Sequence, residues 1–134
     1  MASAERKTET ILVVEDEPVV LEMVKSILQG NGYTVLAAPN GKEALQVGES
    51  HTGSIDLVLT DIIMPGMSGG EFIQRLMPVH PGIRVLYMSG YTKYAVVDHG
   101  VLESVNSFIW KPFSPADLLL KVRETLDNPP ETTQ

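Results

Sequence analysis

The chain contains no cysteine, which excludes disulfide bonds and thiolate metal sites. It also lacks any run of about 18 apolar residues, so we expect no membrane insertion of this domain. The first seven residues, MASAERK, lack the apolar segment of a secretory signal. With no export signal, the cytoplasm is the expected location.

Basic residues are few, with 10 Lys and Arg against 17 Asp and Glu, and the net charge is −7. This balance argues against a domain that holds nucleic acid by neutralising phosphates, so we expect no direct contact with nucleic acid. One explanation for the excess of acidic residues is solubility. Another is that some of these acids cluster to hold a cation. The length of 134 residues suits one domain with a core.

Five short apolar runs predict five β-strands. They are nearly continuous rather than alternating, which is typical of strands covered on both faces. The runs occupy residues 11–14, 33–38, 55–60, 83–88 and 107–110.

Segments of helical period separate these strands and predict five helices. They run from 18 to about 29, over 41–50, over 69–77, after Thr92, and from Pro115 to about Leu126. The sequence Ser68-Gly69-Gly70-Glu71 predicts a capping box, and Ser114-Pro115 predicts the start of the last helix.

The alternation of strand and helix predicts an α/β fold of the flavodoxin-like, doubly wound kind. We expect a five-stranded parallel sheet in the order 2-1-3-4-5, with helices on both faces. One domain is expected over residues 10–127, between a linker at 1–9 and a C-terminal tail at 128–134.

Chemically active side chains follow four of the strands. Glu15 and Asp16 follow the first strand, Asp61 the third, Ser89 the fourth and Lys111 the fifth. These four strands are neighbours in the predicted order, and ligands bind at the carboxyl edge of such sheets. The sequence therefore predicts one pocket that contains all five side chains.

Three carboxylates in one pocket repel each other, and a divalent cation relieves that repulsion. A set of oxygen ligands favours Mg²⁺, which typically keeps a place for a phosphate oxygen. An ammonium group and a hydroxyl on the opposite wall suit the other phosphate oxygens. The pattern predicts metal-assisted phosphoryl chemistry with a carboxylate as nucleophile.

Four stretches, ILVVEDEP, LVLTDIIMPGMSGGE, VLYMSGYT and FIWKPFSPADLLLKVRETL, together resemble the receiver domain of two-component response regulators. The resemblance covers about residues 10 to 127. It implies that Asp61 takes a phosphoryl group from the phosphohistidine of a histidine kinase or a histidine phosphotransfer domain. It also implies that Asp16, Asp61 and the carbonyl of Ile63 bind Mg²⁺, with Glu15 acting through a metal-bound water.

The resemblance assigns further roles on the opposite wall. Ser89 would contact the phosphoryl group, and Lys111 matches the invariant lysine, whose bond to the following proline is usually cis. Phe108 matches an aromatic that turns inward when Ser89 moves. This coupling would change the conformation of the face formed by the predicted fourth helix, the fifth strand and the C-terminal helix. The same face could also form a homodimer.

Some positions depart from the commoner pattern. Glu15 stands where Asp is commoner, and Ser89 stands where Thr is commoner. Apolar Ile63 cannot orient an attacking water, so we expect slow self-hydrolysis of the phosphoryl group. Such a domain catalyses its own phosphorylation and dephosphorylation and is not by itself a turnover enzyme.

The stretches YMSGYT and KPFSPADLLLKVRETLD resemble receivers at the C-terminus of hybrid sensor histidine kinases. A stand-alone single-domain regulator fits nearly as well.

Three other functions stay open as alternatives. A degenerate receiver would act only as a protein-binding module. A phosphatase of the haloacid dehalogenase type would carry its Asp nucleophile after the first strand, where Glu-Asp-Glu stands here. A flavodoxin would bind phosphate at that same loop, which here is acidic.

Overall fold

The computed structural model describes residues 8–90 and 108–128. The five strands are β1 (Thr10–Val14), β2 (Thr34–Ala38), β3 (Leu57–Asp61), β4 (Arg84–Ser89) and β5 (Phe108–Trp110). The described part of the chain has four helices: α1 (Pro18–Gly30), α2 (Gly41–Ser50), α3 (Gly69–Leu76) and α4 (Pro115–Asp127). The helix predicted after Thr92 lies outside the described residues.

All five strands are parallel, in the order β2-β1-β3-β4-β5, so the predicted topology is confirmed. Two strands end one residue later than predicted. Asp61 is the last residue of β3 and pairs with Met88, and Ser89 is the last residue of β4 and pairs with Trp110. The ladder continues beyond β3, because the Ile62 N–H donates to the carbonyl of Met88 at 3.2 Å.

Apolar side chains alternate between the two faces of the sheet, and each face has its own core. Leu12 and Val14 of β1 pack on one side with Phe72 and Leu76 of α3. Ile11 and Val13 pack on the other side, with residues of α1 and α4 such as Leu118. Burial on both faces explains why the strands are almost continuously apolar.

The starts of α3 and α4 are each capped by the side chain of the preceding serine. Ser68 Oγ accepts a hydrogen bond from the Glu71 N–H at 3.1 Å, but the Glu71 carboxylate pairs with Arg75 at 3.0 Å. Only the Ser68 half of the predicted capping box therefore forms. The full box forms at α4, where Ser114 and Asp117 cap each other.

Two glycines shape the connection from β3 to α3. Gly66 has φ of +86°, a backbone conformation that favours glycine. Gly69 begins α3 and donates its N–H to the carbonyl of Ile62 at 2.6 Å. This short connection places the start of α3 against the end of β3.

Among the described residues, no helix is both long enough and apolar enough to cross a membrane.

Candidate functional site

A cavity of about 300 Å³ lies at the carboxyl edge of the sheet, where β1, β3, β4 and β5 end. Its lining contains five of the residues that the sequence predicts for the site. These are Asp16, Asp61, Ile63, Ser89 and Lys111. Of the five side chains predicted to share one pocket, those of Asp16, Asp61, Ser89 and Lys111 do so, and that of Glu15 does not.

Asp61 lies at the bottom of this cavity with only 3% of its surface exposed. Its Oδ1 atom is 2.9 Å from Nζ of Lys111. Its Oδ2 atom is buried and has no hydrogen-bond partner among the described residues. A buried carboxylate oxygen without a partner is costly, so this atom is suited to a cation or a reacting group that satisfies it.

Glu15 follows β1 and is fully buried. Its Oε1 accepts a hydrogen bond from Nζ of Lys111 at 2.7 Å, and its Oε2 accepts one from the Glu17 N–H at 3.0 Å. Glu15 does not line the cavity. The predicted site residue is therefore close to Asp61, but its carboxylate is directed to Lys111.

Asp16, in contrast, is exposed and lines the cavity. Glu15, Asp16 and Asp61 each offer a carboxylate oxygen, and these oxygens all lie within 4.8 Å of one another. Oxygen-only ligands at this spacing fit Mg²⁺ or a similar hard cation. The unpartnered Oδ2 of Asp61 supports that fit, because a cation would supply the interaction it lacks.

Burial and the charges of the site together shift two pKa values. Burial raises the pKa of Asp61 to about 8, the negative charge of Glu15 adds to the rise, and Lys111 opposes it. Burial lowers the pKa of Lys111, but its hydrogen bonds to Glu15 and Asp61 outweigh that effect and raise the pKa overall. Lys111 thus stays charged at neutral pH, while Asp61 binds a proton readily when no cation is present.

Ser89 and Lys111 form the opposite wall. Ser89 is buried, and its carbonyl accepts the Lys111 N–H at 2.8 Å, which ties the end of β4 to the residue after β5. The Lys111–Pro112 peptide bond is cis, as the resemblance implies.

Phe108 lies at the start of β5 and does not line the cavity. It is half-buried and contacts Trp110 edge to face, with ring centroids 4.3 Å apart. Both rings pack on the face of the sheet that α2 and α3 cover. The predicted fourth helix, which Phe108 would influence, lies outside the described residues.

Three residues that were not predicted as part of the site also line the cavity: Glu17, Met88 and Gly90. Glu17 belongs to the acidic run after β1, and its position in that run could have identified it as a site residue. Met88 and Gly90 flank Ser89, so their position follows from the same strand end. Met88 has an apolar side chain and Gly90 has none, so no sequence pattern of reactive groups would single them out.

Comparison with known proteins supports the same interpretation. Residues 11–123 match the model of the response regulator receiver domain. The chain is 37% identical over 118 residues to the sensor kinase CckA of Brucella abortus, covering 88% of this chain and 12% of that protein. It is 33% identical over 135 residues to the probable transcriptional regulatory protein TcrX of Mycobacterium tuberculosis, covering 99% of this chain and 56% of that protein.

The chain thus spans about half or less of the length of these relatives. Among solved structures, the receiver domain from the hybrid histidine kinase CckA matches with a TM-score of 0.74 and 32% identity. That match covers 88% of this chain and 99% of the other. With the sheet order, the acidic pocket and the matched sequence in agreement, the chain belongs to the response regulator receiver domain family of two-component systems.

Proposed function

We propose that this receiver accepts a phosphoryl group on Asp61 from the phosphohistidine of a histidine kinase or a histidine phosphotransfer domain. The observation that carries the proposal is the Oδ2 atom of Asp61, which is buried and unpartnered among the described residues. It belongs to a carboxylate that lines an open cavity beside the Lys111 ammonium. The Lys111 ammonium holds the Asp61 carboxylate in place and neutralises only part of its negative charge. The carboxylate can therefore act as a nucleophile.

The transfer uses each of these groups. A carboxylate oxygen of Asp61 attacks the phosphorus, an O–P bond forms, and the P–N bond of the phosphohistidine breaks. The electron pair goes to the imidazole nitrogen, which takes up a proton. Lys111 and the Ser89 hydroxyl would donate to the phosphoryl oxygens, where negative charge is concentrated.

Mg²⁺ is the proposed cofactor. Asp16 and Asp61 would bind it together with the carbonyl of Ile63, a residue that also lines the cavity. When bound, the cation would neutralise the carboxylates and the incoming phosphoryl group. Carboxylate oxygens of Glu15, Asp16 and Asp61 lie within 4.8 Å of one another, which supports an acidic cation site here.

Two events would follow the transfer, a change of conformation and the loss of the phosphoryl group. Ser89 and Phe108 would pass the change to the face formed by β5, α4 and the predicted fourth helix, which could then pair with a second copy. The half-buried side chain of Ile63 cannot hydrogen-bond a water, so we propose that the phosphoryl group is lost slowly.

The parent protein belongs to the proposal as well. The likeness to the receiver domain of the hybrid histidine kinase CckA favours a receiver within such a kinase, while the likeness to TcrX fits a receiver within a transcriptional regulatory protein. In either case we propose a cytoplasmic receiver, folded over residues 10–127, that does not itself contact nucleic acid.

The test is incubation with Mg²⁺ and either acetyl phosphate or a phosphorylated kinase. We expect one acid-stable, hydroxylamine-labile phosphoryl group per chain, lost in Asp61→Asn and kept in Asp127→Asn, which removes the same charge from the exposed end of α4. If Asp61→Asn still takes up the phosphoryl group, Asp61 is not the phosphoacceptor. A wild-type chain that takes up no phosphoryl group would favour the degenerate receiver, and turnover of small phosphate esters would favour the phosphatase.

A further inference from the structure

We propose that Trp110 is a positioning residue for Phe108. The two rings form one unit on β5, and Phe108 can move toward Ser89 only together with Trp110. The inference rests on the proposed function, in which Ser89 and Phe108 pass a change of conformation to the face that contains β5. It adds Trp110 to that coupling, a residue to which the family resemblance assigns no role.

The register of the last two strands places Trp110, rather than Phe108, beside Ser89. In the ladder between β4 and β5, Trp110 is the partner of Ser89 and Phe108 is the partner of Tyr87. The Lys111 N–H donates to the Ser89 carbonyl at 2.8 Å, which fixes this register at the end of β5. Because neighbouring strands lie about 4.8 Å apart, Trp110 is the nearer of the two aromatic residues to Ser89.

The two rings and the Ser89 side chain belong to the same face of the sheet. Trp110 and Phe108 pack with Tyr87 on the face that α2 and α3 cover, whereas Ile109 belongs to the opposite core. Ser89 comes two residues after Tyr87, so the alternation of side chains along β4 directs it to the face of the rings. A Phe108 ring that moves along this face toward Ser89 therefore meets the position of Trp110.

The Trp110 and Phe108 rings lean toward each other. Residues two apart on a strand are separated by about 6.6 Å, but these ring centroids are 4.3 Å apart. The ring planes cross at 82°, an edge-to-face arrangement that aromatic pairs prefer. Both rings are half-buried, so a Phe108 ring that moved by itself would lose this contact and expose apolar surface of Trp110. Joint movement keeps the contact.

The ring contact is tested by a double-mutant cycle in urea unfolding, followed by circular dichroism. Phe108→Leu and Trp110→Leu each remove one ring and keep an apolar side chain. We expect a coupling of about threefold to tenfold in the unfolding equilibrium constant, as for other aromatic pairs. If Trp110→Leu does not fold, Trp110→Met takes its place.

Phe113→Leu is the matched control for this cycle, because Phe113 packs on the opposite face of the sheet. Its coupling to Trp110→Leu should stay below about twofold, as expected for residues that do not share a contact. If the coupling between Phe108 and Trp110 is no larger than this control, the two rings do not form a unit and the proposal is wrong.

Joint movement is tested by following each ring while acetyl phosphate and Mg²⁺ phosphorylate the wild-type chain. Trp110 is the only tryptophan in the sequence, so tryptophan fluorescence reports on this position. Phe108 is one of three phenylalanines, and in protein labelled with ¹³C-phenylalanine its ring signal is the one lost in Phe108→Leu. We expect the Trp110 emission and the Phe108 signal to change in proportion to the fraction of phosphorylated chain.

A Phe108 signal that changes while the Trp110 emission stays constant would overturn the joint movement, as would a phosphorylated chain in which neither ring signal changes. If the double-mutant cycle shows the expected coupling while wild type takes up no phosphoryl group, the ring pair stands and the proposed function fails. If wild type is phosphorylated and the cycle shows no coupling, the proposed function stands and Trp110 has no positioning role.

Discussion

Gly69, the first residue of α3, lies against the backbone carbonyl of Asp61 with no space for a side chain between them. A β-carbon on Gly69 would overlap the Asp61 carbonyl oxygen and come within 3.1 Å of the Ile62 Cα atom. Both neighbours are backbone atoms, which cannot rotate away. The helix start therefore fixes the backbone of the residue that we propose to carry the phosphoryl group.

Gly69→Ala should accordingly destabilise the protein by about 2–4 kcal/mol, because the overlap forces α3 away from β3. Gly70→Ala is the control, since a β-carbon there meets only Ser68 Oγ, at 4.0 Å. It should stay within about 0.5 kcal/mol of wild type. Urea unfolding measures both. Equal stabilities for the two variants would show that α3 does not depend on the close contact between Gly69 and Asp61.

The buried carboxyl group of Asp61 predicts a pH dependence of stability in metal-free protein. Its folded pKa of about 8 lies above the ordinary value of 3.8, so between these values the folded state keeps a proton that the unfolded state has lost. The contribution of Asp61 to stability is therefore complete below about pH 4 and is lost as the pH rises through about 8.

Asp61→Asn does not titrate at this position and should escape that loss. We expect it to become more stable than wild type by about 1–3 kcal/mol at pH 9, with a much smaller difference at pH 5. Urea unfolding in the presence of a chelator measures the difference at each pH. A difference that does not change between pH 5 and pH 9 would contradict the raised pKa.

Cation binding should stabilise the folded chain, because the three carboxylates come together only in the fold. At free Mg²⁺ ten times the dissociation constant, the gain should be about 1.4 kcal/mol. Asp16→Asn should reduce this gain, whereas Asp127→Asn should preserve it. Thermal unfolding with and without Mg²⁺ decides, and a gain of equal size in Asp16→Asn would exclude Asp16 as a ligand.

Arg123 links three distant parts of the chain at the opposite edge of the sheet. Its guanidinium pairs with the Glu9 carboxylate at 2.8 Å and the Asp127 carboxylate at 2.9 Å, and donates to the Tyr33 hydroxyl at 3.2 Å. Glu9 precedes β1, Tyr33 precedes β2, and Asp127 ends α4. One side chain thus connects the beginning and the end of the fold.

Arg123→Gln should cost about 1 kcal/mol at low salt and less at high salt, since a paired network is worth more than an isolated surface pair and is screened by ions. Arg75→Gln is the matched control, because Arg75 forms an exposed ion pair with Glu71 within α3. Its expected loss is within about 0.5 kcal/mol. If the two variants lose the same stability, Arg123 is an ordinary surface residue.

Much of this fold could be predicted because its signals are local. Continuous apolar strands with helices between them determine a doubly wound parallel sheet, and the sheet order then places Asp61, Ser89 and Lys111 along one edge. The cavity follows from the sheet order and from the position of these residues at the ends of neighbouring strands. No homologous structure is required to expect it.

Side-chain direction could not be predicted in the same way. Glu15 and Asp16 are adjacent acids with the same local signal, yet one is buried against Lys111 and the other is exposed. That difference depends on a residue 96 positions further along the chain. The unformed half of the capping box has a similar cause, since the Glu71 carboxylate has a competing partner in Arg75, one helical turn away.

The central claim is that Asp61 carries the phosphoryl group, and locating that group on the chain tests it most directly. The phosphorylated protein is reduced with borohydride, which converts an acyl phosphate into an alcohol, and its peptides are sequenced by mass spectrometry. We predict a single reduced residue, at position 61, that depends on Mg²⁺. Reduction at Asp16, Glu17 or any other acid, with Asp61 unchanged, would contradict it.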